Sequence, residues 1–190
     1  VPANWGFSRR GIGESLRLTA PFAAFGIGFC IIFGLLSDAA VVNPTLFLLL
    51  VLYPLWGTIQ QFLVVAMGAR NVVAAAGGGP TDGSRKGDGR RIADSSRKAG
   101  GGDVSPHVGA RKVSPHVGAL VGAVGFALVH VPVWPLVVAT FALGLVTTQV
   151  YLRVGNLWVP GVFHGWFATL FYFLVLGEDP WAPLVQLAFG

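Results

Sequence analysis

Five long apolar runs, nearly free of charge, limit this chain more than any other feature. Between Leu18 and Ala76 the only charged side chains are Asp38 and Arg70, and between Val113 and Gly177 the only one is Arg153. A soluble domain carries about 25% charged residues because its surface must face water. Here 11% are charged, 54% are hydrophobic, and the mean hydropathy is +0.68. Backbone in a bilayer must satisfy its own hydrogen bonds, which leaves helices or closed barrels, and runs of this length are helical in scale. The expected fold is therefore all-α: a polytopic transmembrane helix bundle with about five spans.

The first span is expected over 18–36, nineteen residues that give roughly 28 Å at the helical rise. Helix-start chemistry at Asn43-Pro44 opens the second, which runs through Pro54 to at least Met67. Arg70 and Asn71 interrupt it before the apolar run resumes to Ala76, and Pro54 predicts a kink, not a stop. Three further segments cover 117–131, 134–152 and 158–176, the first pair separated by a proline-bearing reversal, VPVWP. Trp56, Trp134, Trp158 and Trp181 fall near span ends, where indoles anchor to the interface, and the short amphipathic tail is expected to lie there too. The first apolar run lacks the small-residue cleavage pattern of a secretory signal.

Residues 77–116 differ in kind, being rich in Gly, Ser and charge with almost nothing apolar to bury. The expected organisation is thus two membrane helices in 1–76, a low-complexity mobile loop in 77–116, and three helices with a tail in 117–190. VSPHVGA occurs at 104–110 and again at 113–119. Neither His107 nor His116 is accompanied by a carboxylate or thiolate, so the repeat reads as slippage and not as a metal site. Cys30 is the single cysteine, which excludes an intrachain disulfide.

Nine of the thirteen Lys and Arg lie between Arg70 and Lys112, and three more precede residue 18. The net charge of +5 is therefore a topology signal and not a nucleic-acid footprint. With five spans, Arg9, Arg10, Arg17, the 77–116 loop and Arg153 all fall on one side, expected to be cytoplasmic. Asp38, Glu178 and Asp179 fall on the other. Arg outnumbers Lys ten to three with abundant Gly, Ala and Val, which points to a prokaryotic plasma membrane.

Polar side chains within the spans are few: Gln60 and Gln61 in the second, His130 in the third, Thr147, Thr148 and Gln149 in the fourth, and His164 in the fifth with Asn156 at its entrance. Each needs a partner in lipid. Two readings stay open: convergence of Gln60, Gln61, His130 and His164 on one cavity, or hydrogen bonds that merely tie helices together. Depth complicates the first, since the helical rise puts Gln60 and His164 roughly 10 Å from the basic face and His130 about 20 Å from it. Either the third segment starts deeper, or the second helix extends to Ala76.

The strings WGTIQQFLVVAMG, FALVHVPVWP and GNLWVPGVFHGWFATL resemble the three motifs of the CPBP family, the CAAX proteases and bacteriocin-processing (Abi) proteins that include the type II CAAX prenyl endopeptidases. The resemblance covers roughly residues 45–176. It implies Glu-Glu-x-x-x-Arg, Phe-x-x-x-His and His-x-x-x-Asn, each on a membrane helix, with the first Glu and the second-motif His activating water and the later His and Asn stabilising the oxyanion. Phe126, His130 and His164 match. Gln60 and Gln61 replace the glutamates, Val65 the arginine and Ala168 the asparagine. An amide has no basic site for a general base and is a poor ligand for a divalent metal. Loss of an oxyanion donor costs ~10²–10³ in rate.

The expectation is a pseudoprotease, holding no metal or other cofactor, that acts by binding a lipid, isoprenoid or carotenoid chain or a membrane-protein partner. It would serve as an accessory or assembly subunit. A Glu-to-Gln substrate trap would account for Gln60 and Gln61 but not for Val65 and Ala168. The alternative is an active CAAX-type metal-dependent endopeptidase using His130 and His164 with an unrecognised carboxylate, yet Glu14, Asp38, Glu178 and Asp179 all lie outside the spans. A transporter would need charge along a pathway, and the spans carry almost none.

Overall fold

The computed structural model describes residues 5–75 and 115–182, all helix, turn or connecting chain. The basic segment expected as a loop over 77–116 lies outside them except for its last two residues, which already form the first turn of a helix. The elements are α1 (Ile12–Leu36), α2 (Pro44–Gln61), a π-helical stretch π1 (Phe62–Ala69), α3 (Arg70–Ala75), α4 (Pro115–Leu128), α5 (Trp134–Val154), α6 (Trp158–Leu170) and a second π-helical stretch, π2 (Phe171–Leu176). Since α2, π1 and α3 form one continuous rod, and α6 and π2 another, the bundle has five helical rods.

Four of them are long and apolar enough to cross a membrane: Ile12–Leu36, Pro44–Ala74, Trp134–Val154 and Trp158–Leu176. The third of the five expected spans departs from the sequence reading. Its helix ends at Leu128, two residues before His130, and at 14 residues it reaches only about 21 Å. The following reversal satisfies its own backbone: Val129 donates to Gly125, His130 to Ala127, Val131 to Leu128 and Val133 to His130.

The first helix also begins earlier than its apolar run. Gly11 caps it in the left-handed region (φ 76), and Glu14 in its first turn complements the helix dipole. Hydropathy marks the lipid, not the start of the helix. At α2 the expected start holds: the Asn43 side chain accepts from the Leu46 N–H and Pro44 occupies the first helical position. Asn43 also donates to Asp179 at 2.9 Å, fastening this end of α2 to the segment after π2.

Proline at 54 removes the N–H that would reach the Leu50 carbonyl. The indole of Trp166 on α6 supplies the missing donor, with Nε1 3.0 Å from that carbonyl. Thr58 returns its hydroxyl to the Pro54 carbonyl at 2.8 Å. Around Pro54 α2 and α6 touch backbone to backbone, because Gly57, Gly161 and Gly165 leave no Cβ between them. Trp166→Phe should keep the ring and lose only the donor, lowering stability in detergent by about 1 kcal/mol relative to Trp56→Phe. Equal unfolding midpoints for the two variants would show that Leu50 is satisfied another way.

Most of α1 faces outward, whereas more than half of the apolar window of the α6 rod is buried. The core lies where α6 meets α1, α2 and α5. Cys30, Leu136, Leu143, Phe163, Phe167 and Phe171 form one apolar cluster, and Val65, Ala66, Phe126, Tyr151 and Leu157 another nearer the basic end.

Candidate functional site

Three helices bring one polar side chain each to the same depth. Gln61 ends α2, Thr147 lies in α5 and His164 in α6, and all three are at most 1% exposed. Thr147 Oγ1 donates to the Leu143 carbonyl at 2.8 Å, which is the usual way a helical threonine hides its polarity. Its remaining lone pair accepts from Gln61 Nε2 at 3.1 Å. The same amide nitrogen lies 3.3 Å from His164 Nδ1. The network thereby assigns the ring, since an amide N–H2 only donates: Nδ1 accepts and the imidazole proton sits on Nε2.

Two polar atoms of this network remain without a protein partner, Gln61 Oε1 and His164 Nε2, and both are buried. One is an acceptor and the other, by that tautomer, a donor. Buried polar atoms are nearly always paired, so an orphaned donor and acceptor on two hydrogen-bonded side chains make this pair the candidate site.

The ring of Phe126 meets His164 edge-on, with centroids 5.0 Å apart. Its carbonyl accepts from His130 Nδ1 at 2.6 Å and from Thr140 Oγ1 at 3.3 Å. His130 is half-buried, and donation through Nδ1 leaves its Nε2 as an acceptor. Thus Gln61 and His164 meet directly, while His130 connects to them through Phe126. Gln60 is half-buried and takes no part in the network. Val65 is buried among Ala66, Phe126, Tyr151 and Leu157, and Ala168 lies half-buried one turn beyond His164. Sequence reasoning singled out Thr147 as polar but not as the support of Gln61. The spacing of Leu143 and Thr147, one helical turn apart, is the signal that was there to read.

A structural or catalytic zinc ion draws three or more protein ligands from imidazole, carboxylate and thiolate. Among the described residues no group of three or more His, Cys, Asp and Glu comes together. The Gln61–His164 pair itself offers an amide oxygen and a protonated ring nitrogen. Those are fewer ligands than a zinc site draws.

An apolar groove of about 540 Å³ runs along the outer face of α1, lined by Phe25, Gly28, Phe29, Ile32 and Leu36 among others. None of its lining residues belongs to the Gln61–His164 network.

Residues 104–170 match the family described as type II CAAX prenyl endopeptidase Rce1-like. The matched segment includes Phe126, His130, His164 and Ala168, and it starts after α2, so Gln60, Gln61 and Val65 lie outside it. No curated protein and no solved structure matches the chain.

Proposed function

We propose, from the similarity of residues 104–170 to the Rce1-like (CPBP) family and from the apolar helices of a multi-pass membrane protein, that the protein acts by binding and not by peptide hydrolysis. The observation that carries this reading is the bond between Gln61 and His164. At the position where the family resemblance implies a carboxylate, an amide nitrogen donates to the histidine instead. A water molecule held there would meet an N–H donor on His164 and an amide oxygen on Gln61, neither of which takes up a proton near neutral pH.

The guest we propose is an uncharged membrane molecule, a lipid or an isoprenoid or carotenoid chain, or else a membrane-protein partner for which this chain is an accessory subunit. Burial of Gln61 and His164 and the Phe126 ring against the imidazole support an apolar guest. Purified protein incubated with a prenylated CAAX peptide, with and without added zinc, should release no product above a blank. Turnover that disappears in His164→Ala would overturn the reading. Native mass spectrometry of protein extracted from its own membrane would then identify the guest.

A further inference from the structure

We propose that residues 5–10 form a displaceable strap that closes the approach to Gln61 and His164 from the basic end of the bundle, with Asn156 as its clasp. Asn156 is fully buried in the connection between α5 and α6. Its Nδ2 donates to the carbonyls of Ser8 at 3.0 Å and Arg10 at 3.3 Å. Its Oδ1 accepts from the Val159 N–H at 3.3 Å, in the first turn of α6. One side chain therefore holds the strap with its donor end and the helix start with its acceptor end. The Leu157 N–H adds a third tie, to the Gly6 carbonyl at 3.0 Å.

Aromatic contacts place the strap over the site. Trp5 and Phe7 both pack on Phe62, with centroids 5.8 and 5.5 Å away, and Phe7 also meets Trp158 at 5.5 Å. The Arg70 guanidinium lies over the Trp5 ring, 5.3 Å from its centre. Phe62 directly follows Gln61, and Phe126, in the cluster against which Trp5 and Phe7 pack, touches His164. A single apolar layer of Phe62, Val65 and Phe126 thus separates the strap from the orphaned donor and acceptor.

The strap is built to move as a unit. It ends at Gly11 in the left-handed region, and Gly6 within it also has a positive φ of 93. Gly6 rests so close to Tyr151 and Leu157 that a Cβ would meet them at 2.8 and 2.9 Å. Three hydrogen bonds and surface aromatic contacts hold it, whereas the helices beneath are joined by interlocked backbone. The inference rests on the Gln61–His164 geometry and is independent of whether that pair catalyses anything.

The test uses the full chain in lipid nanodiscs, with a Val65→Cys reporter in a Cys30→Ala background and a water-soluble maleimide. Asn156→Asp keeps an oxygen for the Val159 N–H, and an aspartate is itself a good helix cap. It offers no donor to the two strap carbonyls. Loss of those bonds should speed labelling of the reporter about tenfold, and Trp5→Ala with Phe7→Ala should act in the same direction without altering the helices. Labelling of the native Cys30, buried in α1, should stay unchanged when the same strap changes are made in the chain that keeps Cys30 and Val65. An unchanged reporter rate in the Trp5/Phe7 variant would overturn the strap, as would equal acceleration at Cys30, which would mark general loosening. If Asn156→Asp does not fold, the Trp5/Phe7 variant decides alone.

Discussion

Gly165→Val should cost the bundle about 3 kcal/mol or more and leave little folded protein after size-exclusion chromatography. A Cβ at this position would collide with the Tyr53 carbonyl and the Pro54 nitrogen, both backbone atoms. They cannot turn aside as a flexible side chain would. Retreat of α2 is resisted from two directions. The Trp166 indole holds the Leu50 carbonyl, and Gly57 sits against the backbone of Gly161 and Gly165 one turn further along. Separation of the pair would also pull Gln61 from His164. Gly13, which has nothing within 4 Å of a built Cβ, supplies the control: Gly13→Ala should be neutral or slightly stabilising because alanine favours helix. Helical circular dichroism during titration with sodium dodecyl sulfate reads both variants, and matching midpoints would refute the close backbone packing.

The second large effect concerns the Gln61–His164 pair. Gln61→Leu removes the donor to both Thr147 and His164 and strands the His164 Nδ1 lone pair in an apolar core, at a cost of about 2 kcal/mol. His164→Leu in turn leaves the amide of Gln61 with Thr147 as its one partner. When both are leucine, no polar atom of the pair is left unsatisfied, so the double variant should be more stable than the sum of the single changes implies. Interhelical hydrogen bonds in membrane proteins contribute ~0.6 kcal/mol on average and up to ~1.7, which sets the scale of the coupling. Additive single and double changes would mean that the two side chains do not depend on each other.

The sequence made the rods visible because lipid exposure leaves a signature, long runs without charge, that packing does not blur. Asn43-Pro44 was legible for a local reason: the cap and the first-turn proline act on their own neighbours. Past Met67 the sequence was ambiguous, since Arg70 and Asn71 look like an exit from the membrane. The helix continues through π1, where the Arg70 N–H reaches back five residues to Val65, and π winding has no residue pattern of its own. Within the site, adjacent residues on a helix point about 100° apart, so Gln60 and Gln61 could not both face α6. Choosing between them needs the rotation of α2, which Pro54 and the glycine contacts set in three dimensions. Trp5, Phe7 and Ser8 gave no sign of their position because a strap without periodicity reads as a polar tail.

The short α4 changes the membrane around it. A hydrocarbon layer is about 30 Å thick, while α4 spans about 21 Å and the neighbouring rod over 44–74, 31 residues long, about 46 Å. Two such unequal neighbours cannot both match one flat bilayer; the long rod tilts or emerges, and lipid thins beside the short one. The Phe126 carbonyl and Thr140 Oγ1 are in contact, which sets Phe126 about 9 Å below the Trp134 end of α5. The reversal after Leu128 therefore lies below the level of the Trp134 end of α5, with Leu128, Val129 and Val131 exposed there. His130 is half-buried at that reversal, while His164 is buried among the helices. The two histidines that the sequence pairs in one motif set thus differ in how far the fold lets anything outside the bundle reach them.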